Sequence, residues 1–130
     1  MVKNRNWDSW SFCVTHDRND TISIITHEIS HFLYFKKFKE IFPKISRKNY
    51  EAPRKEWLLS ELVAVIISHD PRILKIVGIK DDFYPEHKIL TVGGELLTEA
   101  ISKLYKEYVI DKNNFSEFIK KSLDLVTLLK

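Results

Sequence analysis

Residues 57–67 run Trp57, Leu58, Leu59, Ser60, Glu61, Leu62, Val63, Ala64, Val65, Ile66, Ile67, and as a helix this stretch is apolar nearly all round. A helix without a polar face has to be buried, which constrains the fold more than any other stretch of the chain. One residue defies the pattern. A carboxylate at Glu61 is strongly disfavoured in such a setting unless something meets it, and coordination to a dication would do so. A polar seam shared with Ser60, or a pairing with a lysine, are the alternatives.

A set of groups that could hold such an ion lies upstream. His27, Glu28, Ile29, Ser30 and His31 spell a full H-E-x-x-H. On a helix, histidines at i and i+4 share one face and can reach one ion, while the glutamate beside them can accept a proton from metal-activated water. The context is helical. Ile22, Ile25, Ile29, Phe32, Leu33 and Phe38 recur at helical spacing until Pro43, and Asn19 and Asp20 can serve as N-caps. The competing reading makes His27 and His31 satisfied core or interfacial histidines and Glu28 a solvated charge.

A catalytic zinc usually takes three protein ligands and leaves a fourth position open. The extended form H-E-x-x-H-x-x-G-x-x-H is excluded, because Tyr34 and Lys37 stand at its last two fixed positions. Glu61 is therefore the strongest third ligand, with His69, Asp70 and Glu56 as weaker ones. The expected metal is Zn2+.

Trp10, Phe12, Val14 and His16 alternate with Ser9, Ser11, Cys13 and Thr15, so the period of two predicts a strand over residues 9–15, with a turn at 17–20. Helices are expected over residues 21–42 and 54–68, separated by a basic connection between Pro43 and Pro53. Asp70 and Pro71 form an N-cap and N1 pair for a short helix through Val77. A loop at 78–87, a short strand at 88–92 and amphipathic helices at 95–110 and 115–129 complete the reading. The expected fold is α+β and mostly helical, with one or two short strands and about five helices.

The 130 residues suit one domain spanning 1–130, with a single modest core. With 44% apolar and 30% charged residues, the composition is globular, which excludes disordered and fibrous classes. The single Cys13 rules out an internal disulfide framework and a Cys-rich zinc knuckle. Its ordinary role is that of a small buried hydrophobe, although it could cap zinc in a latent form. No apolar stretch follows the first basic residues and none approaches a membrane span, so a cytoplasmic location is expected.

A histidine pair on one helix followed about 30 residues later by a glutamate on a second resembles the gluzincin clan of zinc metallopeptidases, in its compact minigluzincin type. The resemblance covers residues 10–68. It implies a small zincin-like domain in which His27, His31 and Glu61 bind zinc while Glu28 acts as general base in peptide hydrolysis. There are two departures. Many gluzincins carry an acidic residue four positions after the ligand glutamate, where this chain has Val65, and their multi-stranded sheet is represented here by one confident strand.

Peptide hydrolysis also needs a donor to the oxyanion, and Tyr84, His87 and His69 have suitable chemistry. A peptide or protein is then the substrate. A latent enzyme is compatible with the same ligand set, blocked by a second protomer or by residues 111–130, with Glu117 or Asp124 as the blocking carboxylate. The competing class is a non-catalytic helical interaction or regulatory module using the basic stretch Lys36, Lys37, Lys39, Lys44, Arg47, Lys48, Arg54 and Lys55, opposed only by Glu40 and Glu51. A solvated cationic face is the commoner meaning of such a run, and no nucleic-acid motif accompanies it. The aromatics Phe32, Tyr34, Phe35, Phe38 and Phe42 fall at helical spacing and are expected in the core rather than stacked on bases.

Overall fold

The computed structural model describes Arg5–Asn6, Ser11–Phe12 and residues 17–129. The first helix, α1, spans Arg18–Ile41. Its N-cap is Asp17, whose carboxylate accepts the Asp20 N–H at 2.8 Å, so the cap falls ahead of Asn19 and Asp20 and the expected turn belongs to the helix. An aspartate in extended conformation three residues before a free N–H is the favoured arrangement there. The helix ends where the Phe42 N–H bonds back to the Phe38 carbonyl, with Pro43 next in sequence.

The apolar pattern of α1 divides between two faces. Phe32, Tyr34, Phe35 and Phe38 are buried together with Glu28, Ser30 and His31, whereas Ile25, Ile29 and Leu33 lie on an exposed face. Aromatic packing fixes the inner face. Phe35 stacks on Tyr50 at 4.2 Å between ring centroids, and Tyr50 closes the 3-10 turn Arg47–Tyr50 of the basic connection.

The second helix, α2, spans Lys55–His69 and is buried without a break from Leu59 to Ile66. It is the centre of the molecule, touching α1, the 3-10 turn and three of the later helices. The short α3, Pro71–Val77, begins as its sequence predicts: Asp70 accepts the Arg72 N–H at 2.9 Å and Pro71 takes the first turn. Gly78, at φ 75°, ends it in the left-handed conformation that favours glycine.

Residues 78–84 carry no regular structure, and Pro85–Lys88 forms a short helix, α4. The expected strand at 88–92 is confined to Thr91–Val92, because Lys88 closes α4. We denote Arg5–Asn6 and Ser11–Phe12 β1 and β2, and Thr91–Val92 and Glu95–Leu96 β3 and β4. β3 and β4 pair antiparallel around Gly93 and Gly94, both at positive φ as a two-residue hairpin demands. β1 and β2 also pair antiparallel, with Arg5 opposite Phe12. The remainder of the strand expected at 9–15, with Cys13 and His16, lies outside the described residues.

Leu97–Tyr105 forms α5, which runs into a π-helical turn at Lys106–Asp111, and Phe115–Thr127 forms α6, capped by Asn114 accepting the Glu117 N–H at 3.1 Å. Leu97, Ile101, Phe118, Ile119 and Val126 pack with Leu59, Leu62, Val63 and Ile66 into one core. The fold is therefore α+β and mostly helical, with six α-helices among the described residues. None of these helices is long and apolar enough to cross a membrane.

Candidate metal centre

α1 and α2 meet at the one place where each buries charge. His31 is fully buried, and Glu28 and Glu61 are nearly so. His27 Nε2 lies 3.1 Å from Glu61 Oε2, His31 Nε2 lies 3.2 Å from Glu61 Oε1, and the two Nε2 atoms are 2.8 Å apart. Thus the paired histidines, one helical turn apart, aim the same ring nitrogen at the same carboxylate. Ser60, the alternative polar partner, instead donates to the Trp57 carbonyl at 2.6 Å.

The two Nε2 atoms and the Glu61 carboxylate cannot all be satisfied by protons. If both Nε2 atoms carried protons, two N–H groups would collide at 2.8 Å; if His31 Nε2 carries none, its lone pair faces the Glu61 carboxylate. A divalent ion would accept all three lone pairs at once. Tetrahedral bonds of about 2.1 Å put ligand atoms about 3.4 Å apart, so the donor set fits after opening by about half an ångström.

Glu28 offers a carboxylate oxygen within 4.8 Å of the ligand atoms of both histidines. Glu61 meets both Nε2 atoms directly and suits a ligand, while Glu28 brings a second buried carboxylate to the same group.

The electrostatics follow from the same contacts. Burial lowers the pKa of His27, but the hydrogen bonds its ring donates to Asp81 and Glu61 outweigh that and raise it to about 9. Burial pushes Glu61 up, yet His27 and His31 together hold it well below the usual carboxylate range.

Asp81 was not singled out by the sequence. Its Oδ2 lies 2.8 Å from His27 Nδ1, the ring nitrogen turned away from Glu61. Asp81 sits in an irregular segment 54 positions from His27, so no periodicity connects them. The nearest signal was a deficit: Val65, where an acidic partner was expected, is buried and apolar.

The other candidates are distributed elsewhere. Asp70 binds Arg72 and Tyr105, and Glu56 accepts from Asn49 at 3.3 Å. His69 Nε2 donates to the Asp81 carbonyl at 2.6 Å, which makes it an anchor for that loop. His87 is buried with its ring against Trp57 and Tyr84; burial lowers its pKa, and the charges of Glu86 and then Glu61 oppose the shift. Tyr84 is partly exposed at the start of α4. Glu117 lies at the surface 3.8 Å from Lys121, and α6 contributes Phe118, Ile119 and Val126 to the core. The basic stretch faces solvent, apart from the half-buried Lys37, which pairs with Glu40 at 3.3 Å.

Comparison with known protein families, with curated proteins and with solved structures gives no match for this chain.

Proposed function

We propose that the chain is a small zinc-dependent peptidase of gluzincin type, with His27, His31 and Glu61 as ligands. The observation that carries this reading is the convergence of two Nε2 atoms and one carboxylate, all within 3.2 Å, at a buried junction of two helices. Zinc bound there would supply Lewis acidity, making a water acidic and a scissile carbonyl electrophilic.

The chain's own residues would do the rest. Glu28, buried beside both histidines, would take a proton from the attacking water and return it to the departing amine. Of the two candidates at α4, buried His87, its ring against Trp57 and Tyr84, would donate to the developing oxyanion, with the exposed Tyr84 as the alternative. A cytoplasmic setting is part of this reading.

Elemental analysis of the purified chain beside His27→Ala and Glu61→Ala tests it. One zinc per chain in the wild type, lost in both variants, is the expected result, followed by cleavage in a peptide-substrate screen. A metal-bearing chain that cleaves nothing would indicate the latent form. The competing reading, a helical interaction module working through the exposed basic stretch, predicts a chain that takes up no zinc and gains no stability from it.

A further inference from the structure

We infer that Asp81 is the positioning residue for His27, so that the loop between α3 and α4, rather than α2 itself, supplies the carboxylate that orients the first metal ligand. This rests on the metal reading above. An imidazole presents a lone pair from Nε2 only when its proton sits on Nδ1, and the hydrogen bond made by Nδ1 decides that tautomer. Here Nδ1 faces Asp81 Oδ2 at 2.8 Å while Nε2 faces Glu61 and His31. The carboxylate therefore holds the proton away from the site.

Asp81 is itself held at several points. Its N–H donates to Ser68 Oγ at 3.0 Å, its carbonyl accepts from His69 Nε2 at 2.6 Å, and its Oδ1 accepts the Asp82 N–H at 3.0 Å. Ser68 is buried and donates to the Val65 carbonyl at 2.6 Å, so the loop is pinned to the last turn of α2. Glu61 and Ser68 are two helical turns apart and share a face of α2, which returns the loop to the side where the ligand carboxylate stands. Val65, between them, has no group that could orient a histidine. A loop thus takes over a task that the helix sequence leaves unfilled.

The test is competitive zinc titration of wild type, Asp81→Ala and Asp81→Asn, with long-range proton–nitrogen NMR of the His27 ring in each zinc-free protein at a pH where the ring is neutral. Asp81→Asn can still accept from Nδ1–H and guards against a loss that reflects misfolding alone. Expected are zinc binding weakened about 10–100-fold in Asp81→Ala and less in Asp81→Asn, with one zinc at saturation in all three and the Nδ1–H tautomer fixed in wild type but not in Asp81→Ala. Zinc affinity within twofold of wild type and an unchanged tautomer in Asp81→Ala would overturn the assignment while leaving the metal centre standing. Wild type that takes up no zinc would overturn both.

Discussion

His27 and His31 bring their Nε2 atoms to 2.8 Å of each other at a site where only one of the two can hold a proton, and both face the carboxylate of Glu61. Three acceptors with too few protons between them make a junction that a cation would complete. Zinc at about a hundred times its dissociation constant should accordingly raise the unfolding free energy by about 2.7 kcal/mol, read as an upward shift in Tm by calorimetry. His31→Ala and Glu61→Gln should lose most of that shift. An equal shift in both variants would mean that zinc binds elsewhere.

The metal-free protein should have a distinctive pH profile. The folded-state pKa of His27 is raised from 6.5 to about 9, so its protonated form contributes stability that is fully present below 6.5 and is lost as pH climbs through 9. Glu61 is shifted the other way, so its contribution is present above its ordinary value of 4.5 and is lost on acidification below it. Urea midpoints of chelator-treated protein should therefore peak between about 4.5 and 6.5 and decline towards pH 9. Zinc uptake at pH 7 should release a proton, since the ion and the His27 proton compete for one nitrogen. A midpoint that stays flat from pH 6 to 9 would refute the coupling.

The parts that were legible in the sequence are those set by local rules. The unbroken apolar run around Glu61 required a central helix and a partner for the carboxylate, and the i, i+4 histidines met that carboxylate because two long helices of this kind pack side by side. Asp70 and Pro71 wrote the start of α3 in two letters. What escaped was governed by tertiary packing. Ile25, Ile29 and Leu33 kept helical spacing without facing the core, because the bulkier Phe32, Phe35 and Phe38 claimed the inner face. Asp81 was invisible because a loop aspartate carries no period, and its role exists only once Ser68 and His69 have fixed the loop.

Glu28 separates metal binding from chemistry. Its carboxylate lies within 4.8 Å of the ligand atoms of both histidines, and with His27, His31 and Glu61 as the proposed ligands, Glu28→Gln should keep one zinc per chain and lose peptide hydrolysis by a factor of about 100 to 10,000. The variant is close to isosteric, which leaves packing of the buried side chain nearly unchanged. Rates measured on one peptide beside zinc content by elemental analysis check this. Retained hydrolysis with full metal would remove Glu28 from the role of base.

Away from the His27–Glu61 group, Asp70 joins three elements. Its carboxylate caps α3, accepts both Nε–H and Nη2–H of Arg72 at 3.0 and 2.7 Å, and accepts the Tyr105 hydroxyl of α5 at 2.7 Å. These bonds, the Arg72 pairing first among them, hold Asp70 well below the usual carboxylate range despite its burial. Removing the hydroxyl with Tyr105→Phe should cost about 1.5–3 kcal/mol, the usual worth of a hydrogen bond to a charged group. The sign with pH is opposite to that of His27: a depressed carboxylate contributes stability above its ordinary value of 3.8 and loses it as pH falls further. Asp70→Asn should therefore narrow the difference in stability between pH 6 and pH 3 while lowering stability at pH 6. Because Asp70 and its partners lie outside the His27–Glu61 group, its zinc stoichiometry should remain one per chain. Loss of zinc in Asp70→Asn without loss of fold would mean that this residue, one of the weaker ligand candidates in the sequence, belongs to the metal centre after all.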